Sequence, residues 1–212
     1  MSEKLGKIAE KLIAGDIEEV GKLTQEIIDD GGGAEDIMKN GLFAGMDVVS
    51  QRFKNGDMFI PEVLRSAKAM QASMEILRPI LTETGASHSG TVVMATVQGD
   101  LHDIGKNLAG MMMEGAGFKV IDMGIDQKTE DIVNSVKENK PEILGLSALL
   151  TTTMPKMGEA INALKEAGIR DQVKIIIGGA PVTDDFADEI GADGYAPNAA
   201  IGTELAQELV KS

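Results

Sequence analysis

The chain has 212 residues, 43% hydrophobic and 25% charged, enough to bury a substantial core in one large or two small domains. It has no cysteine, which excludes disulfides, thiolate metal sites, iron–sulfur ligation and cysteine nucleophiles. A formal charge of -14 without a Lys/Arg stripe argues against nucleic-acid partners. No apolar run nears the ~20 residues of a bilayer span, and MSEKLGKIAEKL alternates charge with apolar residues where a signal peptide would be continuously hydrophobic. A cytoplasmic protein with no membrane partner is therefore expected.

Residues 1–84 carry apolar residues at helical spacing. Leu5, Ile8, Leu12 and Ile13 mark a first helix, and Val20, Leu23, Ile27 and Ile28 a second that Gly31–Gly33 ends. Ile37, Leu42, Met46, Val49 and Phe53 mark a third. A fourth opens at Pro61 and carries Val63, Leu64, Ala67, Met70, Met74, Leu77 and Leu81. Four helices with short connections predict a small bundle. Residues 85–90, rich in small and turn-forming types, read as a linker, and His88 within it as an incidental solvated histidine.

From residue 91 to 212 the pattern changes. TVVMATV, GFKVIDMG, EILGLSA, VKIIIGG and a weak DGYAP alternate with five helical segments. Parallel neighbours need crossovers, so this is an α/β pattern predicting a flavodoxin/Rossmann-like doubly wound domain with a five-stranded parallel sheet. Ligands of such sheets bind beyond the carboxyl ends of the strands.

There the sequence concentrates its polar residues. QGDLHDIG follows the first strand, with Gln98, Gly99, Asp100, His102, Asp103, Ile104 and Gly105. Asp100 and His102, two apart, can meet if the backbone is extended, one imidazole nitrogen facing a ligand while the other donates to the carboxylate. A solvated βα loop explains an isolated DxHxxG as well. Phosphate cradles of the GxGxxG and GxxxxGK[ST] kinds are absent, and a zinc hydrolase lacks a second nitrogen ligand, since the other histidine is His88. Beyond the third strand stand Ser147, Thr151, Thr152 and Thr153, and beyond the fourth Gly178 and Gly179. Each could be only a helix cap or a turn. Together they line one sheet edge.

GDLHDIG, SALLTTT and Gly178-Gly179 resemble the DxHxxG…SxL…GG signature of cobalamin-binding domains, and the segment from Phe53 through KNGDMFIPEVL resembles the helical cap of methyl-transferring corrinoid proteins and of cobalamin-dependent methionine synthase. The resemblance covers essentially the whole chain. It implies a cobamide bound with its lower base displaced and His102 as lower axial cobalt ligand. Asp100 would hold the other ring nitrogen, with Thr153 in place of a serine that extends this network. The nucleotide tail would pass Ser147, Leu149, Thr151, Gly178 and Gly179, while Phe53, Ile60 and Val63 would cover the upper face of the corrin. Phe53 and Val63 also fit core periodicity.

By the same resemblance the chain is a methyl-carrier subunit whose cofactor cycles between cob(I)alamin and methylcob(III)alamin. Its implied partners are a substrate-specific methyltransferase, an acceptor-side methyltransferase acting on tetrahydrofolate or a thiol such as coenzyme M, and a reductive activation protein. The donor would be a methylated amine, betaine, methanol or an aromatic methyl ether. An adenosylcobalamin mutase subunit would leave residues 1–84 unexplained. A cobalamin-dependent sensor would usually append a basic DNA-binding module, and a flavodoxin-like domain without cobamide has only the fold in its favour.

Overall fold

A computed structural model describes residues 2–84 and 89–211, and the chain divides into two compact units, Met1–Ser87 and His88–Ser212. His88 and residues 85–88 of the expected linker lie outside the described residues. Ser89 and Gly90 already belong to the second unit: the Ser89 N–H donates to the Gly117 carbonyl at 2.9 Å, and the Gly90 carbonyl accepts from Lys119 at 2.9 Å.

In the first unit α1 (Ser2–Ile13) buries Leu5, Ile8 and Leu12, and α2 (Ile17–Asp29) buries Val20, Leu23 and Ile27. Asp16 caps α2 by accepting from the Glu19 N–H. The expected third helix is interrupted. After α3 (Ala34–Ile37) the chain makes a π turn over Met38–Phe43 before resuming as α4 (Ala44–Asn55). The cause is visible in the spacing: Ile37 and Leu42 are five apart, and the wider turn keeps both fully buried. Gly41 and Gly45 then let this helix lie close on α1, where an added Cβ at Gly45 would stand 3.1 Å from Leu12 and 3.2 Å from the Ala9 Cα. The last helix, α5 (Ile60–Thr84), buries Val63, Ala67, Met70 and Leu77 and is tied to α2 by a buried hydrogen bond of 2.6 Å between Ser73 and Thr24.

The second unit has five parallel strands, β1 (Thr91–Thr96), β2 (Lys119–Asp122), β3 (Ile143–Ser147), β4 (Lys174–Gly178) and β5 (Gly194–Ala196), in the order β2-β1-β3-β4-β5. The helices are α6 (Ile104–Gly115), α7 (Thr129–Asn139), α8 (Pro155–Glu166), α9 (Asp184–Ile190) and α10 (Ala199–Leu209). The central strands are apolar on both faces because both are covered. Val93, Ala95, Leu144, Leu146, Ile175 and Ile177 pack with Ile132 of α7 and Ile161 of α8 on one side. On the other, Val92, Met94, Ile143 and Ile176 pack with Met113 of α6 and Ala206 of α10. Chain order reverses between β1 and β3, so the loops leaving these two strands diverge and open a crevice at their carboxyl ends.

Candidate functional site

The loop after β1 is a fixed object. Gly99 takes a positive φ of 84° and donates its N–H to Asp126 Oδ1 at 2.7 Å, while the Asp126 N–H returns a bond to the Asp100 carbonyl at 3.0 Å. Asp100 is fully buried and turned across the crevice. Its Oδ2 accepts from the Leu149 N–H at 2.7 Å, the Leu150 N–H at 3.2 Å and the Thr153 hydroxyl at 2.7 Å. Its Oδ1 accepts from the His102 N–H at 3.1 Å and faces His102 Nδ1 at 2.8 Å. One carboxylate thus pins the β1 loop to the β3 loop. The Leu150 carbonyl, 2.9 Å from the Thr153 hydroxyl, competes for its proton, but ionised Asp100 can only accept.

Burial opposes the charge on Asp100, yet the bonds from Thr153, Leu149 and His102 outweigh it and hold the carboxyl well below the usual carboxylate range. A depressed pKa means stability that is present above the unfolded value of about 4 and lost as pH falls below it. In the protein without cofactor, the gap in urea midpoint between wild type and Asp100→Asn should narrow as pH falls from about 4 toward 3. A gap that does not narrow there would mean the carboxyl is not held below its usual range.

Because Asp100 only accepts, His102 carries its proton on Nδ1 and leaves a lone pair on Nε2 of a half-exposed ring. Among the described residues no group of three or more His, Asp or Glu side chains could hold a metal ion. This imidazole can therefore fill one coordination position only, and suits a metal that arrives with its other ligands attached.

Beside His102 opens a cleft of about 470 Å³ between the carboxyl ends of β1, β3 and β4 and the helices α6 and α10. It exists because its walls are small: Gly105, Gly145, Ser147, Gly178, Ala196 and Gly202 all line it. Leu101, Ile104 and Leu149, also at its border, are exposed apolar side chains, as is neighbouring Leu150. Exposed aliphatics around a polar histidine form a platform for a large, flat, partly apolar ligand. Gly105 has no structural need to be glycine, since an added Cβ would meet nothing within 4 Å, whereas an added Cβ at Gly178 would lie 3.1 Å from the Ala196 carbonyl. A metal held in a large, partly apolar macrocycle fits these residues.

Of the other residues singled out in the sequence, Asp103, Leu149 and Gly179 line the cleft, but Gln98, Gly99 and Thr151 do not: Gln98 and Gly99 build the turn, and Thr151 is exposed outside it. In the helical unit Val63 is fully buried in the core, Phe53 is half-buried, and Ile60 is exposed beside the still more exposed Phe59. Sequence reasoning missed the cleft residues Met94, Lys106, Met113, Gly145, Ala196, Asn198 and Gly202. Lys106 is buried and pairs with Asp122 and with Asn107 Oδ1, at 2.7 Å from the latter, tying the first turn of α6 to β2. Glycine inside the apolar run of β3 was the available signal for the cleft.

Fold and cleft together define a class, a B12-binding protein. Two family models described as B12 binding domain match residues 5–78 and residues 90–202. The chain is 43% identical over 209 residues, 97% of each chain, to a corrinoid protein of Desulfitobacterium hafniense, and 45% identical over 176 residues to dimethylamine corrinoid protein 1 of Methanosarcina acetivorans, covering 82% of this chain and 83% of that one. Its structure resembles one chain of the methanol:cobalamin methyltransferase complex of Methanosarcina barkeri with a TM-score of 0.88 at 32% identity, covering 99% of this chain and 80% of that one. It also resembles a cobalamin-binding protein of D. hafniense with a TM-score of 0.80 at 36% identity, covering 97% and 98%. The chain belongs to the methyltransferase corrinoid protein family.

Proposed function

We propose that this protein is the cytoplasmic corrinoid carrier of a multi-protein methyltransferase system, with His102 as the lower axial ligand. The observation that carries this reading is the single free imidazole nitrogen beside a preformed cleft, with no group of three or more His, Asp or Glu side chains able to hold a metal ion among the described residues. When bound, the corrinoid supplies a cobalt centre that accepts a methyl group from one partner and yields it to another.

The chain's own residues bind, orient and hold. Asp100 fixes the His102 tautomer and keeps Nε2 aimed by its second bond to the His102 N–H, and Thr153 with Leu149 fixes Asp100. Leu101, Ile104 and Leu149 would offer apolar contact to the corrin, and Gly105 would let the backbone approach it. Ser147, Gly178 and Gly179, which line the cleft, would hold its nucleotide tail. The implied partners are a methyltransferase that loads the carrier, a second that unloads it onto tetrahydrofolate or a thiol, and a reductive activation protein. A methylated amine is the favoured donor, because relatives named for dimethylamine and trimethylamine are 45% and 41% identical to this chain.

Mixing the apoprotein with a cobamide and removing unbound ligand tests the reading. A stoichiometric complex whose spectrum changes when a methylamine methyltransferase and its amine are added to the reduced form is the expected result, and no retained corrinoid would end it. Gly105→Ala sharpens the test. With open space around the new methyl group, thermal stability should stay within about 1 kcal/mol of wild type, whereas corrinoid affinity should drop on the order of tenfold, about 1.4 kcal/mol. Unchanged affinity would remove Gly105 from the binding surface.

A further inference from the structure

The loop that carries His102 leaves β1 through a tight turn. The Asp100 N–H donates to the Val97 carbonyl at 3.1 Å, and Gly99, third of the four residues, has the positive φ that a type II turn requires there. The turn's own hydrogen bond leaves the N–H of its central peptide unused. That N–H, from Gly99, goes to Asp126 Oδ1, and the Asp126 N–H returns a bond to the Asp100 carbonyl. Asp126 thus grips the chain just before Gly99 and just after Asp100, on the approach to His102.

The arm that presents Asp126 is itself braced. The Thr96 N–H donates to the Gly124 carbonyl at 3.0 Å, and the Gln127 N–H donates to the Thr96 carbonyl at 2.9 Å. Asp122 Oδ1 accepts from the Gly124 N–H at 2.8 Å and pairs with buried Lys106 of α6. Asp126 also holds a φ of +54°, which aspartate tolerates without favouring it. Among the described residues the other non-glycine with positive φ is Lys140, which ends α7 in the usual left-handed cap, whereas no helix ends at Asp126. The Asp126 side chain is exposed, so water can replace its bond to Gly99, and that bond adds little to global stability. Water cannot replace the fixed direction it gives the turn.

Resting on the reading of His102 as axial ligand, we propose that Asp126 is a positioning residue that sets how strongly His102 engages the cobalt. Asp100 orients the imidazole through its side chain, while Asp126 orients the backbone from which both Asp100 and His102 project. Cobalt(I), its axial orbital filled, holds no axial ligand, whereas cobalt(II) holds one, so the strength of that engagement shifts the potential between them. With Asp126 in place the imidazole is aimed before the metal arrives. Without it the turn takes up several directions, and ordering it again counts against the bond to cobalt.

The test compares wild type, Asp126→Gly and Asp126→Asn, each loaded with the same cobamide. Glycine accepts the positive φ and keeps the backbone bond but removes the carboxylate, whereas asparagine can accept from Gly99 through its amide oxygen and removes only the charge. In Asp126→Gly the ratio of histidine-bound to histidine-free cobalt(II), read from nitrogen splitting in the electron paramagnetic resonance spectrum, should fall about tenfold, the lower end for groups just outside a metal's ligands. The cobalt(II)/(I) midpoint should rise by up to about 59 mV, the same factor for one electron. The melting temperature of the apoprotein should stay within about 4 °C of wild type. Asp126→Asn should match wild type in all three. An unchanged ratio and midpoint in Asp126→Gly would overturn the inference. So would an equal shift in Asp126→Asn, which would assign the effect to charge, or a melt of Asp126→Gly lowered beyond that range, which would make the residue a structural prop. Absence of nitrogen splitting in wild type would instead remove the axial reading on which the inference rests.

Discussion

Replacing His102 with alanine is expected to leave a folded protein that still takes up corrinoid but has lost its axial nitrogen. The ring is half-exposed and its side-chain bond is to Asp100, which keeps donors from Leu149, Leu150 and Thr153 after the change. The cleft is built from other residues and should still hold the tail. The nitrogen splitting in the cobalt(II) electron paramagnetic resonance spectrum should vanish. Methyl transfer should slow by at least about 100-fold, the upper end of what changes just outside a metal's ligand set produce. An unaltered nitrogen splitting would assign the axial position to another group.

The second large effect is expected at Gly179. Its φ is +135°, and a Cβ placed there would stand 1.8 Å from the Ala148 carbonyl oxygen and 2.8 Å from the carbonyl carbon. Backbone meets backbone, so no rotamer change relieves the contact. Gly179→Ala must push the β3 and β4 loops apart, and with them Leu149, whose N–H holds Asp100. A loss of at least about 3 kcal/mol is expected, seen as a drop in melting temperature of about 10 °C or more. A melt within about 2 °C of wild type would show that the loops yield easily.

Much of this architecture is legible in the sequence, and the reasons are local. The five strands of the second unit are short apolar runs bounded by glycine or charge, and parallel pairing requires the helices between them. Asp100 and His102 were pairable from their separation alone. The π turn was not legible as such, because the apolar positions Ile37 and Leu42 sit on one continuous helical stripe unless the five-residue step is taken literally. The inner end of the cleft was hidden for a different reason: Met94 and Ile176 line it while packing in the core, so their apolar alternation reads as ordinary core. Only Gly145, small where its strand neighbours are large, distinguishes them. The staple from Asp126 escaped notice because it joins residues 27 apart through a backbone N–H, which no side-chain motif records.

The π turn at Met38–Phe43 bears on how the helical unit could have arisen and what it tolerates. One residue advances an α-helix by about 100°, so the extra residue sets the azimuth of everything after it. Met46 and Val49 face the core and Gly45 faces Ala9 only because of that offset. Losing exposed Asn40 would restore regular winding and turn the last three turns as a block, bringing side chains against α1 where the glycines now pass. Substitutions at the exposed positions of this helix can be absorbed one at a time, but a change of length moves Gly45, Met46 and Val49 together, and the helix is in that sense a dial with one permitted setting.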